Sequence, residues 1–254
     1  MKEKKNKGAR KVLLVAISAA LVAVISVGST LAYLTARSNT KTNTFTASGN
    51  ITGEVIEPDA EFDKFDDWVP GEEIAKNPMI DNDTKDYEIW TGAKLSFQID
   101  IGRGYEDVSY STFVKYVTIN GLAGSGWSEY TTGVKADGNK YYYYDTALAA
   151  DGGDSTEKNY GDSTAKGGTT GAATNDNTTA IFTSVTPNPA ITIREKSASE
   201  SYVTTINANG PQTGDIYEKF LFKITVNGYG VKKESTVTLD DAKDVILSGL
   251  GGKA

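Results

Sequence analysis

Alternation of apolar and polar residues constrains this chain more than any other feature of it. Ala93, Leu95, Phe97, Ile99 and Ile101 alternate with Lys94, Ser96, Gln98 and Asp100. Further on, Phe220, Phe222, Ile224 and Val226 alternate with Leu221, Lys223 and Thr225. Successive side chains of a strand point to opposite faces, so a period of two predicts strands with one face on a core. A third case lies near the N-terminus. Phe45, Ala47, Ile51 and Val55 alternate with Thr44, Thr46, Asn50, Thr52 and Glu54, which predicts a single strand over 44–54. Residues 112–119 are β-branched and aromatic enough to be read as another strand.

Between these stretches the turn chemistry predicts a hairpin. Residues 130–135 run into Ala136-Asp137-Gly138-Asn139 and then into Lys140-Tyr141-Tyr142-Tyr143-Tyr144. Asp-Gly-Asn supplies the positive φ angles of a tight turn. Four consecutive tyrosines suit a strand covered on both faces. Residues 149–179 are Gly, Asp, Ser, Thr and Ala with almost no large apolar side chains, and are read as a long flexible loop. One helix is expected near the C-terminus. Thr238 would cap it with Asp241 as the reciprocal partner, Asp240 and Asp241 would sit at its positive end, and Gly249 would close it. Leu239, Ala242, Val245 and Ile246 would share its apolar face. The pattern as a whole predicts one all-β domain over 34–254, an antiparallel β-sandwich with a short C-terminal helix.

The chain opens on Lys2, Lys4, Lys5, Lys7, Arg10 and Lys11, followed by an apolar run over 12–27 and the small residues Gly28, Ser29 and Thr30. A positive segment, an apolar segment and a small-residue junction make an export signal, here 1–33, with cleavage expected within Ala32, Tyr33 and Leu34. Left uncleaved, the same segment would be the chain's one attachment to a membrane. The chain carries −7 and residues 1–33 carry +5, so the exported part carries −12. That charge opposes binding to nucleic acid and to anionic lipid heads.

There is no cysteine and no histidine. An exported protein without cysteine has no disulfides to lean on, so its core alone must stabilise it. A Cys-His dyad, a Ser-His-Asp triad and a His-ligated zinc site are all excluded. No enzyme activity is expected.

The junction residues carry a resemblance. Gly28-Ser29-Thr30-Leu31-Ala32-Tyr33-Leu34-Thr35 is followed by Asn43-Thr44-Phe45-Thr46-Ala47-Ser48-Gly49-Asn50-Ile51. This is similar to the signal and mature start of the TasA/camelysin (CalY) family of exported biofilm-matrix proteins. That family shows Gly-Gly-Thr-aromatic-Ala-aromatic and then Asn-x-Thr-Phe-x-Ala-Gly-Asn. Ser29 and Leu31 depart from the pattern, and Ser48 is an insertion in it. Trp68-Val69-Pro70-Gly71-Glu72 and Lys76-Asn77-Pro78-Met79-Ile80-Asp81-Asn82 resemble the family's next segment, and 220–231 resembles its last long strand. The resemblance implies a jelly-roll or immunoglobulin-like sandwich at a Gram-positive cell surface, exported through a dedicated signal peptidase. It further implies fibres in which each subunit gives an N-terminal strand to its neighbour. Phe45, Ala47, Ile51 and Val55 would be the side chains of that assembly strand. The camelysin branch carries a metallopeptidase label, which a chain without histidine does not inherit.

Four other features bear on function. Asp63, Asp66 and Asp67, and again Asp81, Asp83 and Asp86, offer the oxygen ligands that calcium takes. Neither run has the spacing of a helix-loop-helix calcium site, so both are read as solvated acidic loops and no cofactor is expected. Gly161 and Lys166 mimic a phosphate loop, but Lys166 precedes Gly167, the reverse of the required order. Tyr141 to Tyr144, Trp90 and Trp127 would stack on sugars if exposed, and are read as core. Pro211-Gln212-Thr213-Gly214 resembles a wall-sorting signal without the apolar span that follows one.

The sequence therefore predicts a secreted structural protein of the extracellular matrix or cell surface. Its partners would be copies of itself and other matrix proteins. The rival is a monomeric carbohydrate-binding or adhesin-like sandwich module.

Overall fold

The computed structural model describes residues 44–47 (as backbone), 51, 53–57, 68–150 and 176–254. The export signal with Ala32, Tyr33 and Leu34, the run Asp63, Asp66 and Asp67, and loop positions 151–175 lie outside the described residues. Among the described residues, no helix is long and apolar enough to cross a membrane.

The strands are β1 (Thr44–Ala47), β2 (Gly53–Ile56), β3 (Ile74–Ala75), β4 (Met79–Asn82), β5 (Ile89–Asp100) and β6 (Glu106–Val108). They continue with β7 (Val117–Asn120), β8 (Trp127–Glu129), β9 (Lys140–Tyr144), β10 (Ser184–Pro187) and β11 (Leu221–Lys232). Helix α1 (Tyr110–Tyr116) precedes β7, and α2 (Leu239–Gly249) follows β11. The large sheet runs β1-β11-β5-β9-β8, with β6 also on β5; smaller sheets are β3-β10-β7 and β2-β4. The fold is all-β, and among the described strands every pair but β1–β11 is antiparallel; the short C-terminal helix that the sequence predicts is present.

The two strongly alternating stretches pair with each other. β5 and β11 run antiparallel over twelve residues each, from Leu221 opposite Asp100 to Lys232 opposite Ile89. Val226 faces Leu95, Ile224 faces Phe97 and Phe222 faces Ile99, so three apolar rows meet on one side. That side is the main core, which also takes Ile74, Ile80, Val117, Phe182 and Val185 from the smaller sheets and their flanks. Trp68, Phe97, Phe113, Tyr116, Phe220 and Phe222 fill it with edge-on, tilted and stacked ring pairs 5.0 to 6.3 Å apart.

The other face of β5 is polar at Lys94, Ser96 and Gln98 and becomes apolar where α2 lies on it. Trp90, Tyr141, Tyr229 and Val231 pack there against Ala242, Ile246, Leu247 and Leu250. The tyrosine run is thereby divided: Tyr142 and Tyr144 enter the main core, while Tyr141 enters the layer under α2. Gly92 permits the close approach, since a Cβ there would lie 2.5 Å from both Ile246 Cγ2 and the Tyr142 carbonyl oxygen.

Helix α2 begins as expected, with Thr238 and Asp241 exchanging side-chain and backbone hydrogen bonds. Those bonds to Thr238 hold the Asp241 carboxyl below its ordinary range. Two details differ from expectation. Val245 is exposed, and Leu247 and Leu250 turn inward instead. Gly249 is the last helical residue, and the left-handed position is Gly251, at φ 70°.

The segment read as a strand over 112–119 is α1 followed by β7. Ser109 caps the helix by accepting from the Thr112 N–H. Helical spacing puts Phe113 and Tyr116 together in the core, whereas a strand through Phe113 would also have turned Lys115 inward. The hairpin is real but shifted. β8 pairs with β9 and the Tyr130 N–H donates to the Tyr141 carbonyl at 2.9 Å, while the Lys135 backbone N–H donates to the Gly252 carbonyl at 2.7 Å, so only the end of the predicted first arm lies against the C-terminal residues. Gly138, at φ 81°, supplies the turn.

Candidate functional site

The N-terminal segment is where the sequence places assembly. β1 is the end strand of the large sheet and pairs in parallel with β11, Phe45 opposite Gly228 and Ala47 opposite Gly230. Ile51 lies beyond β1, buried in the main core. Val55 is in β2, opposite Ile80 and packed against the same core. The expected single strand over 44–54 is therefore two strands in two sheets. The alternation persists through both, but β1 follows β11 and β2 follows β4, and no single partner could pair with the whole segment.

The second half of this segment leads into a cluster of oxygen ligands. Glu54 on β2 stands opposite Asp81 on β4. On its other side Asp81 bridges Asn177 in antiparallel fashion. The flanking bonds, Thr178 N–H to the Ile80 carbonyl at 2.8 Å and Asn82 N–H to the Asp176 carbonyl at 2.7 Å, make Asp81 and Asn177 a close non-hydrogen-bonded pair. Directly opposed residues share a face, so Glu54, Asp81 and Asn177 form one row across three segments. Asp83, two residues after Asp81, falls on the same face. Carboxylate oxygens of Glu54, Asp81 and Asp83 lie within 4.8 Å of one another. Two unit charges at that separation repel by roughly 3 kcal/mol at an effective dielectric constant of ~20. Asp81 is 2% exposed, which corrects the reading of 81–86 as a solvated loop: its first residue is a buried strand residue.

Sequence reasoning missed Asn177. It placed 149–179 in one loop, yet Asp176, Asn177 and Thr178 are all buried. Thr178 Oγ1 accepts from the Ile80 N–H at 2.9 Å, and the indole of Trp127 donates to the Thr179 carbonyl at 2.9 Å. Neither polar atom of the Asn177 side chain has a hydrogen-bond partner. Nearby, Lys76 Nζ reaches both oxygens of the buried Glu57 carboxylate at 2.7 and 3.0 Å, tying the segment after β2 to the one after β3.

The aromatic residues weighed for sugar stacking are mostly interior. Tyr141, Tyr142, Tyr144 and Trp127 are buried, and Trp90 donates its indole N–H to the Val237 carbonyl at 3.2 Å. Burial pushes the hydroxyls of Tyr141 and Tyr142 above their ordinary range. Tyr87 and Tyr105 are exposed, each with a lysine ammonium over its ring: Lys232 at 4.0 Å from the Tyr87 centroid and Lys223 at 5.7 Å from that of Tyr105. No protein-family model matches the chain, and comparison with curated proteins and with solved structures finds no match to it either.

Proposed function

We propose that the chain is a secreted structural component of an extracellular matrix or cell surface, and that its copies link by passing β1 to a neighbour. One observation carries the reading. Among the described residues, β1 is a four-residue strand, first in the chain and last in its sheet, and its pair with β11 is parallel where the other strand pairs are antiparallel. Such a strand is held by one neighbour along one edge, and the same register is available to the β1 of another copy. β11 offers Gly228 and Gly230 opposite Phe45 and Ala47, so an incoming strand meets no side chain from β11 in that row. Export through the 1–33 signal, with cleavage within Ala32, Tyr33 and Leu34, would free the strand's end. The rival reading, a monomeric glycan-binding module, draws no support from the tyrosine run, three of whose four members are buried.

Two measurements test the proposal. Intact mass of the secreted protein gives the cleavage point, and a full-length membrane-bound product would remove the free end. Electron microscopy and light scattering then compare the mature protein with a Phe45→Pro/Thr46→Pro variant. Successive backbone N–H groups of a strand point to opposite sides, so the pair removes the donor facing β11 in either parity. Fibres from the mature protein and soluble, β-rich monomers from the variant are expected. Fibres from both, or monomers from both, would refute strand exchange.

A further inference from the structure

We infer that Glu54, Asp81, Asp83 and Asn177 form a binding site for a divalent cation of the calcium type. Two independent observations meet here. The first is the trio of carboxylates drawn within 4.8 Å of one another by the β2–β4 pairing. The second is Asn177, 2% exposed, its side-chain oxygen and nitrogen both without hydrogen bonds. An amide buried in that way is destabilising unless something completes it, and native proteins seldom leave one so. Its bridge to Asp81 puts it on the carboxylate face, where its carbonyl oxygen is a fourth ligand.

The donor set selects the ion. All four ligands are oxygens, three charged and one a neutral amide. Calcium takes such mixtures in irregular shells of six to eight, with water completing the shell. Magnesium demands a tighter octahedron, and zinc and copper favour nitrogen and sulfur. The ligands come from three places in the chain: β2, the end of β4 and the segment beginning at Asp176. A bound cation would fasten these three segments together whether or not the chain assembles.

The test uses the purified secreted protein, dialysed against a chelator and then titrated with calcium chloride or magnesium chloride while its thermal unfolding is followed. Calorimetry gives the stoichiometry. One calcium per chain is expected, with a rise in melting temperature and a much smaller effect of magnesium at equal concentration. At ten times its dissociation constant, calcium should favour the folded state about elevenfold. Asp83→Ala, at a half-buried position, should fold and lose the calcium response; Asn177→Asp should be less stable in chelator and more responsive to calcium. Absence of any calcium effect up to 10 mM (roughly tenfold above the weak end of extracellular calcium sites) would overturn the assignment. So would a calcium effect that survives in Asp83→Ala.

Discussion

Asn82 holds Ala149: its side-chain amide donates to the Ala149 carbonyl at 2.6 Å. The same amide donates to the Tyr87 carbonyl at 3.0 Å, its oxygen accepts from the Thr84 N–H at 3.1 Å, and its backbone N–H reaches the Asp176 carbonyl at 2.7 Å. One fully buried asparagine therefore ties Ala149 and Asp176 to the same end of β4.

Two outcomes follow from that arrangement. Replacing 151–175 with a short Gly-Ser linker should shift the melting temperature by no more than about 3 °C. The ends are already held together, and loop-closure entropy changes only by about 0.6 kcal/mol per doubling of length. Asn82→Ala should instead lower stability by about 2–4 kcal/mol, since three side-chain hydrogen bonds vanish at a fully buried position. Thermal and urea melts of both variants check the contrast; equal effects would mean that the anchoring is not in Asn82.

Asp100 predicts a pH dependence. Its Oδ1 accepts from the N–H groups of Gly102, Arg103 and Gly104 at 2.8 to 3.0 Å, and its Oδ2 from Lys219 Nζ at 2.8 Å. Burial by itself raises its carboxyl, but the Lys219 ammonium and the Gly102 and Gly104 amides together outweigh that and hold it below its ordinary range. A group lowered in the folded state stabilises fully above its unfolded value of about 3.9 and loses that contribution as pH falls through the folded value. Asp100→Asn should cost about 2 kcal/mol at pH 7, and the gap from the parent protein should narrow below pH 4. Urea unfolding between pH 2 and 7 measures the gap directly; a gap independent of pH would contradict the argument.

Gly92→Ala should loosen α2. The added methyl meets Ile246 Cγ2 and the Tyr142 carbonyl oxygen at 2.5 Å, and the carbonyl belongs to the neighbouring strand and cannot yield. A loss of about 1–3 kcal/mol is expected, as for other overpacked cores. Ile246→Ala in the same background should restore part of it by removing one of the two contacts, which urea melts of the single and double variants would reveal.

What was legible in the sequence is what is local. β5 and β11 announced themselves because each alternates over many residues and each meets a partner of the same kind. α2 was equally plain, its cap written as Thr238 and Asp241. α1 was not, because Tyr110, Thr112, Phe113, Val114 and Tyr116 have strand propensities. Ser109 and the burial of Phe113 beside Phe97 override them. The oxygen cluster was half visible. Asp81 and Asp83 were singled out together, but a buried aspartate and a solvated one look alike in a polar run. Asn177 lay in a stretch whose composition carries no apolar signal. Its burial comes from Asp81, 96 positions away in the chain. Likewise the sheet change between β1 and β2 depends on where β11 and β4 lie, which no alternation within 44–54 can encode.

The pairing of β1, near one end of the chain, with the β11 edge has a directional consequence under the proposed assembly. A junction that joins the N-terminal strand of one copy to the β11 edge of another is heterologous, so repeating it builds an open chain instead of a closed ring unless the rotation happens to return on itself. Every copy then points the same way. One tip of the filament presents an unfilled β11 edge and the other an unplaced β1. Elongation and termination become chemically separate events, so a protein able to cap one tip would have no purchase on the other.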